Sequence, residues 1–288
     1  MNFRVGFHVS IAGGIQKSVT NALDIGCTAF QIFTRNPRGW AERDLVDTEI
    51  ESFKTNLSKS GIQNNSVVVH MPYLPNLSGP DREIYEKSKK SFANELIRCS
   101  RLGIENLVIH LGSHRGLGYE SGKEQLLKSC AEATDNYKST FKRKLNVTIL
   151  LENSAGQKGS IGSTLEELRE ILDNLSDKTF GVCLDTCHAF ASGYDLKSLK
   201  ACNDFIGKFD SVVGLNALKF IHLNDSKGDI GSHLDRHEHI GLGKIGIEGF
   251  KSILNSSSLR DLPVIMETPR KSNSDDTKNL EVVRKLRK

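Results

Sequence analysis

Eight short apolar segments, recurring about every 25 to 45 residues, limit what this chain can fold into more than any other feature. They are RVGFHVS (Arg4–Ser10), AFQIF (Ala29–Phe33), SVVVH (Ser66–His70), NLVIHLG (Asn106–Gly112), VTILLEN (Val147–Asn153), FGVCLDT (Phe180–Thr186), KFIHLND (Lys219–Asp225) and PVIMET (Pro263–Thr268). Near-continuous apolar runs of this length fit strands buried on both faces, as in a parallel sheet. Helical patterns lie between them. Phe92, Leu96, Cys99 and Leu102 form one helical stripe, and Ser163 to Glu166 reads as a capping box followed by a face of Leu165, Leu168, Leu172 and Leu175. Gly26, Gly61 and Gly103 stand where left-handed glycines end helices. Eight strands with intervening helices predict an α/β fold, a (β/α)8 TIM barrel in a single domain spanning residues 1–288, somewhat above the usual length of about 250 residues. An open doubly wound sheet would favour a glycine-rich loop after the first strand. The G-x-G-x-x-G match at Gly241, Gly243 and Gly246 neither follows a predicted strand nor opens a βαβ unit, so it reads as a glycine-rich loop.

Composition excludes some classes. No apolar run approaches the roughly 18–20 residues of a membrane span. The start, MNFRVGFHVS, reads as a strand rather than a signal peptide, which predicts a cytoplasmic protein. A net charge of +4 permits a nucleic-acid partner without indicating one. The basic clusters Lys142–Lys144 and Arg284–Lys288 read as solvated faces, and the charged tail continues from Arg270. Six cysteines show no C-x-x-C spacing and read as reduced, buried small hydrophobes.

The polar residues closing the runs carry the functional signal. They are His8, Thr34–Asn36, His70, His110, Glu152, Asp185, His222 and Glu267. In a barrel these ends converge on the face that carries active sites. A lone histidine is more often structural, but recurrence strand after strand has no packing explanation. In GVCLDTCHAF (Gly181–Phe190), alternation places Cys183 and Asp185 on one strand face, with His188 three residues beyond Asp185. A helical turn there would let Asp185 and His188 share a face, leaving Cys183 and Cys187 to pack. In HLDRHEH (His233–His239), period two places His233, Asp235, His237 and His239 on one side, and spacing alone does not choose among them. Taking Asp235 and His237 from that loop gives nine candidates with His70, His110, Glu152, Asp185, His188, His222 and Glu267. Five imidazoles and four carboxylates exceed one ion's needs and suit three divalent ions. Mixed nitrogen and oxygen ligation without thiolate suits zinc ahead of manganese or iron. Three such ions against four carboxylates would leave a surplus of about two positive charges, which attracts hydroxide and a phosphate oxyanion.

With these residues assembled, the chain resembles endonuclease IV, the metal-dependent apurinic/apyrimidinic endonuclease family of DNA base-excision repair. The resemblance runs from HVSIAGG (His8–Gly14) to MET (Met266–Thr268) through HMPYLPNL (His70–Leu77), GVCLDTCHAFASGYD (Gly181–Asp195), IHLNDSK (Ile221–Lys227) and DRHEHIGLG (Asp235–Gly243). It implies a trinuclear zinc site, with Mn2+ possible in place of some ions. His70, His110 and Glu152 would hold one ion. Glu152 would bridge to a second ion on Asp185, His222 and Glu267, and His188, Asp235 and His237 would hold the third. The implied reaction is hydrolysis of the phosphodiester 5′ to an abasic site in duplex DNA, leaving a 3′-hydroxyl and a 5′-deoxyribose phosphate. A hydroxide bridging the first two ions would attack, with Glu267 orienting or deprotonating it and the third ion stabilising the leaving 3′-oxygen. Removal of 3′-blocking groups is implied as well. Tyr73 and Leu74 match the residues that fill the gap in the base stack, and Arg38 matches the residue inserted from the minor groove. Lys227 is a candidate phosphate contact, and the family favours a monomer on DNA. His233 stands where many relatives have arginine, and Pro75 where they have an aliphatic residue.

Two rival readings follow from the same residues. A sugar isomerase or epimerase on a related barrel would use Glu152, Asp185, His222 and Glu267, without need of His70, His110 or the Asp235–His237 pair. A DNA-damage binder without catalysis would keep the fold, but the complete ligand set argues against it.

Overall fold

The computed structural model describes residues 3–142, 144–175, 179–272 and 274–288, so the Lys142–Lys144 cluster falls partly outside the described residues. Strands and helices alternate from β1 (Val5–Phe7), α1 (Lys17–Ile25), β2 (Phe30–Ile32) and α2 (Asp47–Ser60) to β3 (Val67–His70) and α3 (Arg82–Leu102). They continue through β4 (Asn106–His110), α4 (Tyr119–Phe141), β5 (Thr148–Glu152), α5 (Leu165–Asn174), β6 (Phe180–Asp185), α6 (Thr186–Ala191) and α7 (Leu199–Val212). The last part holds β7 (Leu218–His222), β8 (Asp225–Ser226), β9 (His237–Glu238), α8 (Gly246–Asn255), β10 (Val264–Met266) and α9 (Ser274–Leu286).

Eight of these strands form one parallel sheet in the order β1-β10-β7-β6-β5-β4-β3-β2. The ends meet: His8 bridges Gln31 in parallel, and the Val9 amide donates to the Gln31 carbonyl at 2.8 Å. The sheet therefore closes as the predicted (β/α)8 barrel and is not an open doubly wound sheet. β8 and β9 form a separate antiparallel hairpin at the mouth.

Side chains two apart on a strand share a face, so each strand divides its residues between the barrel interior and the helical layer. Ala29, Val68, Val108, Leu150, Cys183, Phe220 and Ile265, none more than 1% exposed, pack together inside the barrel. Gly6, in register with Ile265, completes the layer. Val5, Phe7, Val67, Val69, Leu107, Ile109, Ile149 and Leu151 face the other way and join the larger core beneath the helices. In that core the α3 stripe of Phe92, Leu96, Cys99 and Leu102 is buried as expected. Gly26, Gly61 and Gly103 end α1, α2 and α3 at φ of 87°, 75° and 76°, values that favour glycine.

Two details depart from the sequence reading. The capping box of α5 sits one residue later: Thr164 accepts from the Glu167 amide at 3.1 Å, and the Glu167 carboxylate accepts from the Gly162 and Ser163 amides at 2.8 Å. Both S-x-x-E and T-x-x-E occur in STLEE, and the chosen register buries Leu165, Leu168 and Ile171 together, leaving Leu172 partly covered. The basic C-terminal cluster is also more than a solvated face. α9 packs back on the barrel, and Arg284 donates to the Gly26 carbonyl at 2.6 Å while Arg287 reaches the Leu254 and Arg260 carbonyls.

Gly6 shows how tight the closure is. A Cβ at this position would collide with the carbonyl oxygen of Ala29 on the neighbouring strand. Gly6→Ala is expected to cost more than about 3 kcal/mol or to abolish folding, because backbone has to move to relieve the clash. Gly207→Ala in α7, where a Cβ meets nothing within 4 Å, should instead stabilise by about 0.5–1 kcal/mol. Urea unfolding of both variants checks the pair, and equal effects would contradict the packing described.

Candidate metal centre

Two residues beyond each member of the inner apolar layer the chain places a polar side chain. Gly6, Ala29, Val68, Val108, Leu150, Cys183, Phe220 and Ile265 are followed by His8, Gln31, His70, His110, Glu152, Asp185, His222 and Glu267. The strand period puts these on the same interior face, one layer nearer the mouth. Register agrees, since His8 pairs with Gln31, His110 with Glu152, and Asp185 with His222. The second strand thus contributes Gln31, not the Thr34–Asn36 stretch expected from the sequence. β2 ends at Ile32, and Thr34 and Arg35 bind α3 through the buried Glu95 carboxylate at 2.6 and 3.0 Å.

The nine candidate ligands come together in overlapping groups. His70 Nε2 and His110 Nε2 lie 3.2 and 3.0 Å from Glu152 Oε2. His222 Nδ1 lies 2.7 Å from Glu152 Oε1, 3.5 Å from Glu267 Oε2 and 4.0 Å from Asp185 Oδ2. His188 Nε2 and His237 Nε2 lie 3.2 and 3.6 Å from Asp235 Oδ1, and His237 Nε2 is also 3.6 Å from Asp185 Oδ2. Within His70–His110–Glu152, Glu152–Asp185–His222–Glu267 and Asp185–His188–His237, one donor atom from each residue lies within 4.8 Å of the others. His70, His222 and Glu267 form a further such group, so these three, Glu152 and Asp185 each belong to two.

Local structure explains how Asp185 and His188 share the mouth. Asp185 caps α6, its Oδ1 accepting from the His188 amide at 2.8 Å, so the helical turn begins at once. Asn153 clamps the same segment. Its Oδ1 accepts from the Asp185 amide at 2.7 Å, and its backbone carbonyl accepts from His188 Nδ1 at 2.9 Å. Asn224 ties Asp185 to the last strand, donating to Asp185 Oδ2 at 2.7 Å and accepting from the Glu267 amide at 2.7 Å. Cys183 sits in the apolar layer and Cys187 is buried, and desolvation pushes both thiols up to about 12. They are packing residues, as expected.

These donors fit divalent ions. His70 Nδ1 and His237 Nδ1 face the Met71 and Glu267 carbonyls at 2.6 and 3.1 Å, so those nitrogens carry the protons. His188 follows the same rule through Asn153, which leaves Nε2 of all three rings available toward the carboxylates. His237 Nε2 is buried and has no hydrogen-bond partner among the described residues, the state of a ligand nitrogen aimed at an ion. Nitrogen and oxygen donors without thiolate suit a borderline cation.

Charge supports the same conclusion. Burial works to lower the His222 and His188 imidazoles, yet their neighbours outweigh it and hold both well above the ordinary histidine value: Cys183, then Glu267 and Glu152, around His222, and Asp185, Asp235 and Glu152 around His188. Burial likewise works to raise Glu152 and Glu267, yet the neighbouring imidazoles, His222 foremost, hold both well below the usual carboxylate range. Asp235, half-exposed and against His188 and His237, falls to about 2 despite partial desolvation. The imidazoles of His188, His222 and His110 thus hold protons more tightly than an ordinary histidine, and a divalent ion binding among them would compete with those protons.

The loop residues separate cleanly. Asp235 and His237 face the cluster. His233 turns away in a left-handed conformation (φ 53°), its Nδ1 3.3 Å from the Ala155 carbonyl, and His239 Nδ1 accepts from Asn279 at 3.0 Å. The glycine-rich loop has an internal purpose: the amides of Gly241, Gly243 and Ile245 donate to the buried Asp225 carboxylate at 2.9–3.0 Å. A concavity that could cradle an anion is filled by the protein's own. Asp225 belongs to the hairpin that continues to His237.

At the rim, Tyr73 and Leu74 are 56% and 39% exposed, large apolar side chains left in solvent beside buried charge. They wall a cavity of about 230 Å³ with His110, Glu152, His188 and Asp235. Arg38 lies on the other side of Tyr73, in a depression shared with His8, Phe33, Glu267 and Arg270. Lys227 Nζ stands 4.0 Å from Glu238 on the hairpin. No described helix is long and apolar enough to cross a membrane.

A closed barrel with acidic and imidazole side chains at its strand ends defines the xylose isomerase-like TIM barrel class, whose family profile matches residues 19–288. Within that class the chain belongs to the endonuclease IV family. It is 50% identical over 283 residues to a probable endonuclease 4 of Methanoculleus marisnigri, covering 98% of each chain. It superposes on the crystal structure of endonuclease IV from Thermus thermophilus with a TM-score of 0.86 at 38% identity, covering 98% of each. A D-tagatose 3-epimerase-like protein, 19% identical with a TM-score of 0.73, shares the fold alone.

Adding a divalent ion to metal-stripped protein at pH 7 should release protons, and apparent affinity should fall as pH is lowered from 8 to 6. The displaced protons are those on imidazoles whose affinity is raised, His188 and His222 foremost. Calorimetry in buffers of different ionisation heat checks this; binding without proton release would contradict the charge balance described.

Proposed function

We propose that this chain is a metal-dependent DNA-repair endonuclease that hydrolyses the phosphodiester 5′ to an abasic site in duplex DNA, leaving a 3′-hydroxyl and a 5′-deoxyribose phosphate. The observation that carries the reading is the convergence of nine ligand side chains in linked groups beside a rim of exposed Tyr73 and Leu74. The proposed occupants are three zinc ions, with manganese able to replace some. His70, His110 and Glu152 hold the first, Glu152, Asp185, His222 and Glu267 the second, and His188, Asp235 and His237 the third. Divalent ions supply positive charge against a phosphodiester and make a water acidic enough to ionise near neutral pH.

The chain's own residues supply the rest. Glu267 orients the attacking water or takes its proton. Its side chain is 16% exposed, whereas Glu152, Asp185 and His222 in the same group are 1% exposed or less, so it is the member a water can reach. Flipping a nucleotide costs a few kcal/mol of lost pairing and stacking, least where the base is absent. Tyr73 and Leu74 fill the vacated stack, and Arg38 enters from the minor-groove side. Removal of 3′-blocking groups follows from the same phosphodiester chemistry. The protein acts on genomic DNA as a monomer. A sugar isomerase reading would leave His70, His110, Asp235 and His237 without a purpose, and a mere damage binder would not need to keep every ligand.

The test is incision of a duplex bearing one tetrahydrofuran abasic analogue, by metal-loaded, metal-stripped and Glu267→Gln protein. The analogue cannot undergo β-elimination, so a cut reports hydrolysis. The loaded wild type should nick on the 5′ side and the stripped protein should not. Glu267→Gln should bind within about threefold of wild type and cut at least about a hundredfold more slowly. Unchanged turnover would remove Glu267 from the mechanism. Loaded protein that neither binds nor nicks would overturn the reading in favour of a sugar isomerase, and binding without nicking in favour of a damage binder.

A further inference from the structure

Gln31 is the one member of the strand-end ring that is neither acid nor imidazole, and it is fully buried. Its Nε2 lies 2.6 Å from Glu267 Oε1 and 2.9 Å from His8 Nδ1, and its Oε1 lies 2.8 Å from His222 Nε2. A carboxylate offers no proton, so the amide nitrogen must face Glu267. The amide oxygen then faces His222, which must donate from an Nε2–H. That orientation turns His222 Nδ1 toward Glu152 Oε1 at 2.7 Å and Glu267 Oε2 at 3.5 Å. The second amide N–H meets His8 Nδ1, and the His8 ring is backed by Phe33 at 4.0 Å between centroids. One side chain therefore orients two of the four residues in the Glu152–Asp185–His222–Glu267 group.

Its own position is fixed by the barrel closure. Gln31 sits at the seam between first and second strands, paired with His8, with its carbonyl accepting from Val9 at 2.8 Å. It lines neither of the two cavities at the rim, so it acts through its neighbours rather than on substrate.

We propose that Gln31 is a positioning residue that sets both the carboxylate orientation of Glu267 and the nitrogen that His222 presents to the metal centre. This rests on the function proposed above, in which Glu267 and His222 share an ion and Glu267 serves the attacking water. The ring at the barrel mouth thereby couples strand closure to catalytic geometry. Losing an outer partner of a metal-ligating imidazole typically costs 10–100-fold in metal affinity or activity.

The test uses the full chain as Gln31→Met, which keeps length and fills the volume without an amide, and Gln31→Glu, which keeps the acceptor for His222 but loses the donor to Glu267. Three quantities are measured: zinc affinity by chelator competition, the slowly exchanging His222 Nε2–H resonance by NMR, and kcat and KM on the tetrahydrofuran duplex. For Gln31→Met we expect one ion to bind about 10–100-fold more weakly, the Nε2–H resonance to be lost, and kcat to fall at least about tenfold with KM within about twofold. Gln31→Glu should retain the resonance while its kcat falls at least about tenfold, because the acceptor for His222 is kept and the donor to Glu267 is lost. Wild-type values of all three in Gln31→Met would overturn the proposal. If that variant folds poorly, a lost His222 resonance or a wild-type kcat in Gln31→Glu would do so. Failure of the underlying function would show in the wild type as no metal uptake or no incision, while the NMR comparison still tests the orientation of His222.

Discussion

In an extended strand, side chains two residues apart share a face, and eight parallel strands turn that local rule into a layered interior. Here the lower layer is dry: Ala29, Val68, Val108, Leu150, Cys183, Phe220 and Ile265 close the barrel against water. The polar layer above must then satisfy its groups mainly among themselves or with something from the mouth, because beneath it only the Cys183 thiol, beside His222, offers a hydrogen-bond partner from this layer. The ring of His8, Gln31, His70, His110, Glu152, Asp185, His222 and Glu267 follows directly from that arrangement.

Burying three ionised carboxylates in one ring is costly unless each has partners. The structure supplies them in two ways. Imidazoles face the carboxylates, and neutral amides hold both in place: Asn153 binds Asp185 and His188, Asn224 joins Asp185 to the last strand, and Gln31 joins His222 to Glu267. Of the remaining candidates, His188 comes from α6, while Asp235 and His237 arrive on a hairpin outside the barrel. Its stiffness comes from Asp225, whose buried carboxylate gathers three amides of the glycine-rich loop. A sheet that closes, a clamp of amides and an anchored hairpin together hold donors from separate strand ends and loops close enough to share ions.

Most of this is legible in the sequence, for a physical reason. Strands buried on both faces read as unbroken apolar runs, and a polar residue closing such a run stands out. The barrel, its helices and all ring members except the one on the second strand follow from that contrast alone. Gln31 escapes it because AFQIF hides a polar residue inside its run: β2 stops early, and the strand-end rule points to Thr34–Asn36, where Thr34 and Arg35 bind Glu95 instead. Counting two residues from an inward-facing apolar residue, rather than looking for the end of the run, finds it. Period two likewise cannot choose among His233, Asp235, His237 and His239. The chain there is irregular, with His233 left-handed, and strand parity does not carry through such a bend. Asn153 and Asn224 follow ring residues closely, yet an asparagine after a strand reads first as turn chemistry.

Donor groups that overlap in this way call for linked ion sites at the mouth rather than a single one. Anomalous diffraction at the zinc edge, from crystals of metal-loaded protein, tests it most directly. Three peaks are expected: one among His70, His110 and Glu152, one among Glu152, Asp185, His222 and Glu267, and one among His188, Asp235 and His237. A single peak confined to Glu152, Asp185, His222 and Glu267, with the other ligands hydrogen-bonded to water, would contradict it.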